Sequence, residues 1–152
     1  MGTKKSLLTD GDGGPLGVVI AGANAVEQKL LQATIEAVVV DRPDPAEVEQ
    51  HLCLDAGYDN PRGREAVESN GYVGHIRPSR AGRREKKRPG RRKARRWVVE
   101  RTFSWLSKCR GILVRYEKKD GNYLGLIQIA CGLYWYRRLY RIGGTDATQE
   151  FT

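Results

Sequence analysis

Glu100 stands as a single carboxylate within Arg95-Arg96-Trp97-Val98-Val99-Glu100-Arg101-Thr102-Phe103-Ser104-Trp105-Leu106. Val98, Val99, Phe103 and Leu106 recur at the spacing of an amphipathic helix, which sets Glu100 one turn from Arg96 and one turn from Ser104. A carboxylate beside a dense cationic segment suits metal-dependent phosphodiester chemistry, in which an anion holds Mg²⁺ and cations hold the polyanion. The competing assignment is a solvent-facing ion-pair residue, the common fate of a helical glutamate. A second carboxylate, Asp55, follows the apolar run His51-Leu52-Cys53-Leu54. That run reads as a short, fully buried strand, and open α/β sheets present their sites at strand C-termini. Paired carboxylates of this kind can hold two Mg²⁺ ions about 4 Å apart for phosphoryl transfer. His51 and His75 are too isolated for a nucleophile–base pair, and the lack of Cys or His clusters argues against zinc.

The elements that must position these residues follow from turn signals and periodicity. Lys5–Thr9 and Leu16–Ala21 read as two strands around the turn cluster Asp10-Gly11-Asp12-Gly13-Gly14-Pro15. Asn24 is a suitable N-cap for a helix over Ala25–Val38, buried through Leu30, Leu31, Ile35 and Val38. After the strand that ends at Asp55 come a polar helix over 62–69, the turn Asn70-Gly71, and a strand over Tyr72–Ile76. The helix of Glu100 is continued or closely followed by Arg110–Val114. A final helix, capped by Asn122, runs to about Tyr140 and is apolar on most faces up to Leu133, which predicts a largely buried helix. Its end, Tyr134 to Arg141, is an aromatic–cationic stripe that fits either stacking on nucleic acid or core aromatics with snorkelling arginines.

Charge is concentrated rather than spread. Arg77 to Arg96 holds twelve Lys or Arg residues and one acid, a local charge of +11 in a chain whose total is +9. The rest of the chain is therefore slightly acidic, and the run is one basic patch on a near-neutral domain. Its Pro and Gly residues (78, 82, 89, 90) exclude one continuous helix and predict a loop. Such density points to a polyanion partner and steep salt dependence. The three cysteines, at 53, 109 and 131, form no CxxC pair, so neither a disulfide framework nor a metal knuckle is indicated; each reads as a small buried hydrophobe. No signal segment is present, and the apolar stretch Leu124–Tyr136 is too short to span a bilayer. These features predict a cytoplasmic protein with no membrane partner.

The chain resembles the DDE class of bacterial insertion-sequence transposases. The matching pieces are Gly2-Thr-Lys-Lys-Ser-Leu-Leu-Thr-Asp-Gly11 with Pro15-Leu16, Leu54-Asp55-Ala56-Gly57-Tyr58-Asp59, His75-Ile76-Arg77-Pro78, Arg96 to Leu106, and Arg115-Tyr116-Glu117. They follow the family's order over nearly all of residues 2–140. The resemblance implies an RNase H-like α/β fold, a mixed sheet flanked by helices, and Mg²⁺-dependent (or Mn²⁺-dependent) cleavage and strand transfer on double-stranded DNA at transposon ends and target. It implies Asp55 and Glu100 as catalytic metal ligands, the second and third acidic residues, with Asp59 a neighbour only. DNA contacts would come from Arg83, Arg84, Lys86, Lys87, Arg88, Arg91, Arg92, Lys93, Arg95, Arg96, Arg101 and Lys108. Residues 1–141 would form a partial catalytic domain, with 77–96 its DNA-contacting loop and 142–152 a tail.

Two departures from the family pattern stand out. The Tyr-Arg-Glu-Lys signature, with two, three and six intervening residues, is met by Arg96 and Glu100, but its tyrosine position is Lys93 and its lysine position Ser107. Lys108, one residue on, would have to reach around by about 100° on a continuous helix. The first acidic residue lies in the family on a central strand upstream of Gly2-Thr3-Lys4, and Asp10, in the hairpin turn, is not expected to replace it. The chain thus reads as a fragment, incomplete at the N-terminus, whose partner is an upstream transposase segment or a second copy. The alternative is a non-catalytic nucleic-acid-binding remnant.

Overall fold

The computed structural model of the chain describes residues 2–76 and 96–146, without the side chains of residues 27, 28, 96 and 142–146. Strand β1 (Thr3–Thr9) and strand β2 (Pro15–Gly22) form an antiparallel hairpin. Its turn is built by Asp10, whose Oδ1 accepts the Asp12 N–H at 2.9 Å and the Gly14 N–H at 2.6 Å. Gly13 sits there at φ 92°, a conformation that favours glycine. Helix α1 (Glu27–Glu36) crosses the hairpin. It starts later than the sequence suggests: Asn24 does not cap it, and Val26 occupies the cap position without a side-chain bond. Gly22 and Ala25 instead close a turn between backbone groups at 2.9 Å. Gly17 lets α1 lie close, since a Cβ there would stand 2.9 Å from the Thr34 carbonyl oxygen.

Strand β3 (Gln50–Leu54), helix α2 (Pro61–Ser69) and strand β4 (Tyr72–Ile76) make a parallel β–α–β unit. Asn60 caps α2 by accepting the Gly63 N–H at 2.9 Å, and Pro61 opens the helix, where its missing N–H costs nothing. Helix α3 (Arg96–Leu106), the short helix α4 (Arg110–Leu113) and the long helix α5 (Asp120–Asp146) are the remaining helices among the described residues. α5 begins two residues before Asn122 and continues helical past Gly143, so the segment read as a tail is helix to residue 146. None of the described helices is long and apolar enough to cross a membrane.

The single mixed sheet expected from the sequence is instead two separate two-stranded sheets among the described residues, β1–β2 and β3–β4. Each is lined by its own cluster. Val18, Leu106, Ile112, Tyr123, Ile127 and Ala130 pack one face of β1–β2 against α3, α4 and α5. Leu31, Ile35, Leu52 and Val67 join α1, α2 and β3, with Leu8 of β1 at the margin. Period-two alternation explains both clusters: Leu7 faces the first and Leu8 the second.

The same alternation corrects the reading of β3 as fully buried. Leu52 is buried, whereas His51 and Cys53 point to the opposite, exposed face. Cys53 is therefore not a core residue, while Cys109 and Cys131 are half-buried. Burial pushes the Cys131 thiol up to about 11, leaving on the order of 0.1% thiolate at pH 8. Iodoacetamide is expected to alkylate Cys53 at least about tenfold faster than Cys131 in the folded chain. Peptide mass spectrometry against time reads the two rates, and equal rates would contradict this packing.

Candidate functional site

Asp55 leaves the end of β3 and caps a 3₁₀ turn (Ala56–Tyr58), its Oδ1 accepting the Ala56 N–H at 2.7 Å. The other acid of that loop, Asp59, pairs with Arg64 and so helps start α2. Glu100 lies on the exposed side of α3. What fixes α3 is the row Val98, Thr102 and Leu106, spaced four apart and buried. Thr102 is nearly solvent-free, at 1% exposure, and its hydroxyl donates to the Gly13 carbonyl at 2.7 Å. The helix that carries Glu100 is thereby stapled to the β1–β2 turn. Arg101 adds a bond from its guanidinium to the Asp12 carbonyl and lies over the Trp97 ring at 4.9 Å.

Thr102→Val keeps the side-chain shape but strands the buried Gly13 carbonyl. It is expected to cost about 1–3 kcal/mol, read by urea denaturation, while Thr102→Ser should retain most of the stability.

A cavity of about 460 Å³ opens between β1 and β3, roofed by α3. Lys5 to Gly11 line it from one side, His51 to Asp55 from the other, and Val98, Val99, Glu100 and Phe103 from above. Asp55 and Glu100, distant in sequence and on different elements, thus face the same space. Asp10 faces it too, which the sequence did not suggest. Its oxygens are engaged, however: Oδ1 by the turn amides and Oδ2 by Arg138 at 3.0 Å. Arg138 also reaches Asp12 at 3.1 Å, so α5 clamps the turn from the far side. Thr102 did not stand out in the sequence, where a threonine inside the apolar row of α3 was the available signal; Arg138 stood out only as part of the aromatic–cationic stripe 134–141.

The lining runs through consecutive residues of each strand, so the cavity meets both sheets edge-on. The Ala23 N–H donates to the Gly2 carbonyl at 3.0 Å, and the register continues from Thr3↔Gly22 to Leu8↔Gly17. Even-numbered residues of β1 therefore exchange bonds with β2, and the backbone groups of Lys5 and Leu7 point away from it, toward the cavity.

The donors suit a hard cation, which takes one or two protein carboxylates plus substrate oxygens. Among the described residues no group of three or more His, Cys, Asp or Glu side chains is placed to hold a metal. Asp55 and Glu100 thus fit Mg²⁺ in kind but do not enclose it. Of the predicted DNA contacts, Arg83, Arg84, Lys86, Lys87, Arg88, Arg91, Arg92, Lys93 and Arg95 lie outside the described residues, as does the Arg96 side chain. Lys108 is exposed, and because α3 ends at Leu106 it lies in the turn before α4. The helical rotation that set it apart from position 107 does not apply there.

Residues 1–135 match the family described as the transposase DDE domain. The chain belongs to that family. A relative from Burkholderia cepacia, the putative transposase for insertion sequence element IS402, is 32% identical over 143 residues. The match covers 92% of this chain and 65% of the relative, so the DDE domain described here spans about two thirds of that protein's length. No solved structure matches the chain. Within this DDE transposase domain, Asp55 and Glu100 are the two acidic residues that the sequence singled out and that the fold brings to one cavity.

Proposed function

We propose that the chain is the metal-binding and DNA-holding part of an insertion-sequence transposase with an RNase H-like catalytic domain. It acts on double-stranded DNA at transposon ends by Mg²⁺-dependent cleavage and strand transfer. The observation that carries this reading is the convergence of Asp55 and Glu100 on one cavity beneath α3. Asp55 and Glu100 hold the metal, Mg²⁺ or Mn²⁺, which when bound supplies positive charge at the scissile phosphate and a more acidic water. The basic run 77–96 grips the phosphate backbone, Arg96 and Arg101 extend that grip along α3, and Lys108 extends it into the turn that follows. Asp10, committed to its turn and to Arg138, does not complete the acidic set. An upstream polypeptide supplies the first acidic residue on a strand that enters between the open edges of β1 and β3. Residues 1–141 then form the partial catalytic domain.

The test uses linear DNA carrying the element's ends. The chain alone is expected to bind it, losing about a thousandfold in affinity between roughly 50 and 200 mM salt, and to leave it uncut in Mg²⁺. Joined to the polypeptide encoded directly upstream, it should nick the ends. Nicking by the chain alone, abolished by Asp55→Ala, would overturn the need for an upstream segment. Salt-dependent binding without nicking in any form would favour the non-catalytic remnant.

A further inference from the structure

The chain contains two histidines, 24 residues apart, and the fold brings both to one spot. Each looks isolated in the sequence. The parallel register of β3 and β4 sets Cys53 opposite His75, which places His51, Cys53 and His75 on one face of the sheet. That face is turned away from buried Leu52, and all three side chains on it are exposed. His75 Nε2 stands 3.0 Å from His51 Nδ1, with ring centroids 4.9 Å apart and planes inclined by 48°. The two rings therefore meet by their nitrogen edges and not by their faces.

Exposed imidazoles gain little from one hydrogen bond to each other, because water offers each an equivalent partner. As metal donors the same two nitrogens are well placed. At metal–nitrogen distances of about 2.0–2.1 Å, donors 3.0 Å apart subtend about 95° at a shared ion. That is the angle between adjacent ligands of an octahedral or tetragonal ion, narrower than the tetrahedral angle that zinc adopts. Both lone pairs must then face the ion, so the proton of the donating ring moves to the other nitrogen of that ring. For His51 that nitrogen is Nε2, and Glu49 Oε1 lies 3.4 Å from it. A carboxylate behind a ligating imidazole holds its tautomer and raises its basicity.

We propose that His51 and His75 form a binding site for a divalent transition ion of the Ni²⁺ kind, with Glu49 behind His51 and water in the remaining positions. His51 and Asp55 line the same cavity wall, yet the two metal sites differ in place and in chemistry. Asp55 lies four residues beyond His51, roughly 13 Å along an extended strand. Among the described residues no group of three or more His, Cys, Asp or Glu side chains joins them, or adds Cys53 to the histidine pair. Hard Mg²⁺ takes oxygen donors, whereas imidazole suits Ni²⁺, Cu²⁺ and Zn²⁺. An ion held by both histidines ties β3 to β4.

Calorimetric titration of the 152-residue chain with NiCl₂ in excess Mg²⁺, at about pH 7.5 so that the ligands are neutral, tests this directly. One Ni²⁺ per chain is expected, with a Kd of about 1–100 µM that Glu100→Gln leaves unchanged. His51→Gln and His75→Gln should each weaken binding at least about tenfold. Both positions are exposed, so the folded far-UV spectrum is retained. Ni²⁺ should also raise the urea midpoint of the parent chain and of neither variant, because an ion that binds only the paired strands stabilises them. No binding at about 1 mM Ni²⁺, or undiminished affinity in both histidine variants, would overturn the proposal. So would loss of binding in Cys53→Ser with His75→Gln unaffected, which would assign the ion to the thiol. These readouts contain no DNA, so their failure is distinct from failure of the transposase reading.

Discussion

Glu100→Gln is expected to reduce Mg²⁺-dependent cleavage by the completed transposase by about a thousandfold or more, with DNA affinity held or slightly raised. The magnitude follows from what a bound metal contributes: several kcal/mol of charge stabilisation, at about 1.4 kcal/mol per factor of ten. Glutamine keeps the length of the side chain and removes only its charge, and an exposed position on α3 tolerates it without loss of fold. Asp55→Asn should behave alike, because the amide oxygen still accepts the Ala56 N–H that starts the 3₁₀ turn. If both carboxylates hold the same metal set, the double variant will be hardly worse than either single one, since parts of one unit do not add. Single-turnover nicking measures all three. Activity within about threefold of the parent for Glu100→Gln would return Glu100 to a surface ion pair, which exposed helical glutamates make at small energetic effect.

Ile127→Ala is expected to cost about 3–4 kcal/mol, the largest stability loss from an aliphatic truncation among the described residues. Among the described residues Ile127 is the one large aliphatic side chain with no exposure at all, set in the cluster of Val18, Leu106, Ile112 and Tyr123. Its neighbours cannot collapse freely into the gap. Val18 belongs to a paired strand, and Tyr123 is tied through its hydroxyl to the Ile112 carbonyl at 2.8 Å. Transfer and cavity terms therefore both count. Domains of this size have only about 5–15 kcal/mol in total, so the variant should unfold at much lower urea. Ile129→Ala, two residues along and 72% exposed, is the control and should shift stability by less than about 0.5 kcal/mol.

Local rules were legible in the sequence wherever one element sufficed to express them. Tyr72–Ile76 is a strand at the expected bounds because the Asn70-Gly71 turn and the end of the apolar run mark it on both sides. Asp55 ends its strand as expected, and Glu100 rides on a helix whose apolar row is its own. What the sequence hid depended on partners from elsewhere in the chain. The apolar length of α5 gave no hint of which half of its surface would find a core. Cys53 looked buried until the β3–β4 sheet proved to be covered on one face only. Asp10 reached the cavity through the path of the hairpin, and the division into two sheets is a property of strand neighbours that no local pattern encodes.

The distribution of the first cluster also sets a timetable for biosynthesis. Leu7, Val18 and Ile20 emerge early, but the residues that cover them, Tyr123, Ile127 and Ala130, are among the last of the described chain. At about 5–20 residues per second the hairpin waits roughly 5–20 s with its apolar face bare before α5 leaves the ribosome. The β3–α2–β4 unit and α1 can settle during that interval, since their contacts lie close in sequence. Helix α5 therefore acts as the latch of the nascent domain, and a ribosome that stops before Asp120 releases a chain with one face open to aggregation.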